Sequence, residues 1–219
     1  TPDPEHYLES YISTYLREEI QQEGLVRNLA SFSRFLEAAR FSQGSVLNIS
    51  EVARECAVHR KVVSSYFDIL EDLLMGVRLP LFTKRAKRRL IAHPKFYFFD
   101  VGVYRTLRPR GPLDAPEEIE GVALESLLFQ ELRAISRYRR WKYELYYWRT
   151  PQQKEVDFVL YGEKGFFAIE IKRKKKISSS DLRGLKTFLS DYPKAKGFLL
   201  YSGERTLQQG SIRIIPVKN

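Results

Sequence analysis

Cysteine is almost absent: the chain of 219 residues holds one, Cys56. A single thiol excludes an internal disulfide framework and fits a reducing compartment. No stretch approaches 18 consecutive apolar residues, so the sequence offers no helix that would span a membrane. The opening Thr1-Pro-Asp-Pro-Glu-His6 is polar and acidic, unlike a signal peptide. It also lacks an initiator methionine and reads as a fragment or a trimmed chain. There is no G-x-x-x-x-G-K-[ST] and no Gly-Lys pair anywhere, which excludes a P-loop that cradles nucleotide phosphates. These absences set the expectation of a cytoplasmic protein with no membrane partner.

What is present is positive charge. Lys and Arg number 37 against 27 Asp and Glu, a formal net charge of +10. Such a balance suits a polyanion, DNA above all, although surface lysines that only aid solubility give the same sum. Hydrophobic residues make up 43% of the chain, enough for a real core.

Apolar residues at spacings of three and four predict helices over 7–22 and 26–39. Ser50 is expected to cap a short helix over 51–57. After a break at 58–61, helical spacing resumes from Val62 to Leu74. Two short helices with a tight connection resemble a helix-turn-helix. Strands follow at 77–82 and 95–99, with the basic run Thr83-Lys-Arg-Ala-Lys-Arg-Arg89 between them, so residues 41–108 read as a winged helix-turn-helix with a basic wing. Arg60, Lys61 and Ser64 would open the recognition helix, and Lys84, Arg85, Lys87, Arg88 and Arg89 would lie along phosphate. A protein-spacing helix-turn-helix with a solvated basic loop fits the same pattern.

Residues 109–117 are rich in Pro and Gly and form the expected linker. A helix over 118–133 comes next, with Val122, Leu128 and Leu132 on its apolar face. Strands are predicted at 144–149, 155–160 and 165–172, a helix over 180–190, and strands at 197–201 and 212–216. This order predicts an α/β domain with a mixed sheet over 118–219, and an α+β chain as a whole. Tyr138, Trp141, Tyr143, Tyr146, Tyr147 and Trp148 cluster around the first of these strands; packing explains most of them, and stacking on unpaired bases is the alternative.

The densest chemistry lies in Glu155-Val-Asp157 and Ala168-Ile-Glu-Ile-Lys172. A short turn between the two strands would bring Asp157, Glu170 and Lys172 together. Carboxylates with an adjacent ammonium suit a hard cation and a phosphodiester. A surface ion pair on one strand gives the same Glu-x-Lys spacing, but charges inside apolar strands are otherwise costly. Lys172 opens a run of five cations through Arg173, Lys174, Lys175 and Lys176 that a polyanion would relieve.

With Glu125 on the first helix, Asp157 on a strand and Glu170-x-Lys172 on the next, this order resembles the PD-(D/E)xK nuclease fold of junction resolvases and restriction enzymes. More fully, the chain resembles the C-terminal region of prokaryotic AAA-type ATPases, in which a winged helix precedes a nuclease-like domain of unknown function. Ser50-Glu-Val-Ala53, Pro94-Lys-Phe-Tyr-Phe-Phe-Asp-Val-Gly102, Gly121-x-x-x-Glu125, Tyr147-Trp-Arg-Thr150, Glu155-Val-Asp157 and Ile169-Glu-Ile-Lys172 carry that resemblance. It implies that residues 1–40 are the helical tail of an ATPase module that holds ATP elsewhere. It implies Mg²⁺ or Mn²⁺ on Asp157 and Glu170, with Lys172 as the water-orienting base and Glu125 as a further catalytic carboxylate. Arg149, Arg173 and Lys174 would contact DNA phosphate. The reading is a DNA-binding, nuclease-fold portion of an ATPase with Mg²⁺-dependent endonuclease activity in view. The alternative is a non-catalytic protein-interaction module of the same ATPase; a homo-oligomer is left open.

Overall fold

The computed structural model describes residues 4–11, 14, 18, 20, 26–84, 93–108, 111–112 and 114–217. By internal contacts the chain divides into two compact units, residues 1–78 with 95–114 and residues 79–94 with 115–219.

The first unit contains α1 (Pro4–Ser10), α2 (Leu29–Ala39), α3 (Ile49–Glu55), α4 (Arg60–Asp72) and α5 (Val101–Leu107). Strands β1 (Ser45–Val46), β2 (Gly76–Leu79) and β3 (Lys95–Phe98) form a sheet ordered β1-β3-β2. Its core is aromatic. Phe32 meets Tyr66 edge-on at 5.1 Å between ring centroids, Phe35 meets Phe67 at 4.8 Å, and Phe67 meets Phe96 at 4.9 Å, so α2, α4 and β3 share one interlocked set of rings. The cap of α3 is Asn48, not Ser50. Its side chain accepts from the Glu51 amide at 3.2 Å and donates to the Glu51 carboxylate at 3.0 Å, which starts the helix one residue before Ser50. The helix expected over 7–22 appears as α1, and most of its remaining length lies outside the described residues.

The second unit is a mixed α/β layer. Helix α6 (Pro116–Tyr138), strands β4 (Glu144–Arg149), β5 (Glu155–Gly162) and β6 (Gly165–Lys172), helix α7 (Arg183–Asp191), and strands β7 (Lys196–Tyr201), β8 (Leu207–Gln209) and β9 (Ile212–Pro216) follow in order. The six strands are ordered β4-β5-β6-β7-β9-β8. β4/β5, β5/β6 and β8/β9 are antiparallel; β6/β7 and β7/β9 are parallel. The β6–β7 crossover runs through α7, whose Leu185 and Phe188 are wholly buried against Trp148, Val159, Ala168 and Leu199. The buried stripe of α6 is Ile119, Ala123, Ser126, Phe129 and Ser136 rather than the expected Val122, Leu128 and Leu132. Two serines disguise that stripe. The Ser126 hydroxyl donates to the Val122 carbonyl at 2.7 Å and so costs little to bury.

Residues 80–82 extend the sheet beyond β4. Phe82 N–H donates to the Tyr147 carbonyl at 2.7 Å, and Tyr147 N–H to the Pro80 carbonyl at 3.0 Å. The Phe82 ring then sits among Tyr146, Phe166 and Tyr192, at 5.4, 5.3 and 5.3 Å. The segment read as one strand over 77–82 therefore serves β2 at its start and the second unit at its end.

Among the described residues no helix is long and apolar enough to cross a membrane.

Candidate functional site

The site grows from a break in strand regularity. Tyr146 pairs with Val159 and Trp148 with Val156, so Asp157 and Phe158 together face Tyr147. This is a β-bulge, a device that re-aims side chains and is common beside functional sites. It explains why Val156 and Val159, three apart, both enter the same core. Phe158 stacks on Phe129 of α6 at 5.6 Å.

The β5/β6 register runs from Gly162↔Gly165 to Phe158↔Ile169. Past that point the Ile171 amide donates to Asp157 Oδ2 at 2.7 Å. The carboxylate takes a bond that a strand carbonyl would otherwise accept, and it does so only 7% exposed. Glu170, 6% exposed, lies on β6, and Lys172 two residues on reaches Glu170 Oε1 at 2.6 Å. All three side chains line an open cavity of about 660 Å³.

Burial alone would pull the Lys172 ammonium down. The carboxylates of Glu170, Asp157 and Glu125 outweigh it, and its pKa sits well above the usual lysine value. The structure thus brings four expected residues into one electrostatic group: Asp157, Glu170, Lys172 and, from α6, Glu125.

Other expected residues have different company. Arg149 Nε lies 3.3 Å from Glu155, and its guanidinium also bonds Gln153, so Arg149 ties the β4–β5 hairpin together. Lys174 pairs with Asp181 at 2.8 Å. Arg173 is exposed. Lys84 contacts Glu144 and sits over the Tyr161 ring at 4.5 Å. Arg60 and Lys61 are exposed in the first turn of α4, as expected, where His59 Nδ1 accepts from the Lys61 amide at 3.3 Å. Lys61, but not Arg60, lines a second cavity of about 620 Å³, in the first unit, together with Arg27, Asn28, His59 and Ser65. Arg85, Lys87, Arg88 and Arg89 lie outside the described residues.

Three wall residues of the first cavity were given no role in the sequence reading, although Glu155 belongs to the Glu155-Val-Asp157 motif. Glu155 adds a carboxylate beside Arg149. Asp181 bonds the Ser178 amide at 2.9 Å and hydroxyl at 2.7 Å, a reciprocal cap for the turn that leads into α7. Burial pushes its carboxyl up, but Lys174 and Ser178 bring it down to about 2. Gly184 has no room for a side chain: a Cβ there would lie 1.8 Å from the Glu155 carbonyl oxygen. An isolated glycine inside a helical pattern was the available signal.

Against known proteins, residues 120–219 match a domain of unknown function, DUF4143, found in AAA-ATPase-associated C-terminal regions. Uncharacterized proteins of Mycobacterium bovis and Mycobacterium tuberculosis are each 28% identical to the chain over 206 residues, covering 92% of it and 45% of themselves. The chain spans about half the length of these curated relatives. Residues 1–114, half of the chain, match a second domain of unknown function, and the chain belongs to that family, DUF8612.

Proposed function

We propose that the second unit is a PD-(D/E)xK-type nuclease-fold module that engages DNA phosphodiesters, and that the first unit is a winged helix that holds the duplex, both serving an ATPase. One observation carries this reading: Asp157, Glu170 and Lys172 converge at a bulge on one open cavity, where two carboxylates stay buried. Buried charge of this kind is costly unless it has a task or a partner.

The donor set fits a hard divalent cation. Among the described residues no three His, Cys, Asp or Glu side chains stand close enough to enclose a metal. A cation would therefore rest on Asp157 and Glu170 and keep water or phosphate oxygens in its remaining places, as Mg²⁺ commonly does. When bound it supplies Lewis acidity and a lowered pKa for its water. Asp157 is oriented by the Ile171 amide, Lys172 holds a proton beside Glu170 and presents positive charge to a phosphate, and Glu125 biases that charge from α6. In the first unit, exposed Arg60 and Lys61 open the helix that would enter the groove.

A second reading draws on the Glu170–Lys172 contact itself. A carboxylate already neutralised at 2.6 Å also suits a platform that binds DNA without cutting it.

The test is incubation of the protein with supercoiled, linear and branched DNA in Mg²⁺, Mn²⁺ or EDTA, beside Asp157→Asn. Metal-dependent cutting lost in the variant supports the nuclease. A salt-sensitive shift without cutting supports the platform. Neither cutting nor a shift overturns both and leaves a protein-interaction module.

A further inference from the structure

The end of α6 breaks a local rule. Arg140 N–H donates to the Arg137 carbonyl at 3.1 Å and Trp141 N–H to the Ser136 carbonyl at 3.0 Å. This is a Schellman closure, whose left-handed residue is usually glycine. Here Arg140 takes that conformation at φ 51°, and Lys142 follows at φ 54°. Each non-glycine residue so placed costs roughly 1–2 kcal/mol. Such exceptions cluster where a side chain is wanted for function.

The side chains retained at that cost have a common character. Residues 137–142 contain Arg137, Arg139, Arg140 and Lys142 and no carboxylate. Arg139, Arg140 and Lys142 are exposed, and no ion pair among the described residues engages them. Between these cations stand two accessible rings, Tyr138 at 88% exposure and Trp141 at 37%. Trp141 is buttressed: it meets Tyr143 edge-on at 6.0 Å, and Tyr143 meets Phe167 at 5.7 Å. A braced aromatic surface interleaved with unpaired cations matches what unpaired bases and their phosphates require.

We propose that Tyr138 and Trp141, with Arg139, Arg140 and Lys142, form a docking surface for single-stranded nucleic acid. The surface belongs to the end of the sheet at which β4 begins and β5 ends, since Glu144 pairs with Tyr161. The carboxylate cavity belongs to the other end of β5, at Glu155 and Asp157. Four strand steps separate Tyr161 from Asp157 and six separate it from Glu155, roughly 13–20 Å at about 3.3 Å per step. The proposal stands apart from the cavity and needs no reaction there.

The chain supplies its own reporter. Of the two tryptophans, Trp148 is wholly buried, so quenching of intrinsic fluorescence reports Trp141. Titrations in EDTA would use oligo(dT), an abasic oligonucleotide of equal length and poly-glutamate. Oligo(dT) is expected to quench and to bind more tightly than either of the others. Tyr138→Ala should weaken it by about fivefold or more, the scale of one stacked base. Arg140→Gly is the sharpest variant. It relaxes the left-handed backbone, so the protein should become slightly more stable while its oligo(dT) affinity falls and its salt slope shrinks by about one. A merely structural role predicts gain or loss of both together. Equal binding of the abasic strand, unchanged affinity in both variants, or preference for poly-glutamate would overturn the proposal. Because no metal is present, none of these results touches the cleavage reading, and loss of cutting in Asp157→Asn does not touch this one.

Discussion

The two units each hold an open cavity of similar volume, about 660 Å³ in the second and about 620 Å³ in the first. Their walls differ in kind. The larger one contains Asp157 and Glu170, carboxylates kept almost wholly from water, and the Lys172 ammonium paired with Glu170. The smaller is lined by helix caps, hydroxyls and exposed cations such as Lys61, with no buried charge among its lining residues. Volume is thus a poor guide to a site. The more informative quantity is the free energy spent keeping charge out of water, because a fold gains nothing from that unless another interaction or a ligand offsets it.

The contrast can be broken by mutation. The largest effect is expected from Gly184→Ala, which sets a methyl group against the Glu155 carbonyl in the wall of the second unit's cavity. A loss of about 3 kcal/mol in denaturant unfolding is predicted, since the obstacle is backbone. Wild-type stability would mean that α7 does not lie as close to β5 as described.

Next comes Lys172→Met, which leaves Glu170 buried beside Asp157 without its ammonium. A cost of about 2–3 kcal/mol is expected. The pKa of Lys172 is raised, so its contribution is complete below the ordinary value of 10.5 and lost only above it. The deficit should therefore be the same at pH 6 and pH 9; a deficit confined to one of these would argue against the ion pair.

Asp181→Asn tests the same wall by pH. Its carboxyl is lowered from 3.8 to about 2, so its stabilisation is present above pH 3.8 and lost as pH falls through about 2. The variant should lose about 1–2 kcal/mol at pH 6, because Lys174 is partly exposed and screened, and the deficit should shrink towards zero as pH falls through about 2. Parallel stability curves for variant and wild type would sink this account.

The smallest change belongs to the first unit. Asn28 caps α2 by accepting from the Ser31 amide at 3.0 Å. Asn28→Ala should cost about 1 kcal/mol. Its loss should not vary between pH 4 and pH 9, as no carboxylate or ammonium takes part in that cap. A pH-dependent loss would show that the smaller cavity is also governed by charge.

Much of the second unit was legible because its strands are short apolar runs bounded by turn residues. Glu144–Arg149 and Gly165–Lys172 appear with the expected bounds. β1 and β8 escaped for the opposite reason: Leu207, Gln208 and Gln209 are all exposed, and two or three residues carry no period. The convergence of Asp157, Glu170 and Lys172 could be read from spacing, because Glu-x-Lys fixes one strand face. The bulge could not, since one extra residue in a strand has no signature in a run such as Val156-Asp-Phe-Val159. Nor could the diversion of Arg149 and Lys84 to Glu155 and Glu144, partners set by register rather than by neighbours in sequence.

Phe82 carries a consequence for synthesis. The second unit claims residues 79–94 and then 115–219, while residues 95–114 complete the first. As the chain leaves the ribosome, the first unit can close once residue 114 emerges. Phe82 by then is already outside, and its partners Tyr146, Phe166 and Tyr192 are still to be made. For that interval a large ring and a length of unpaired backbone stand in water, open to chaperones and to other nascent chains. Cutting the gene at the Pro- and Gly-rich stretch would make the interval permanent, which is why a dissected second half should begin before Leu79 and not at residue 115.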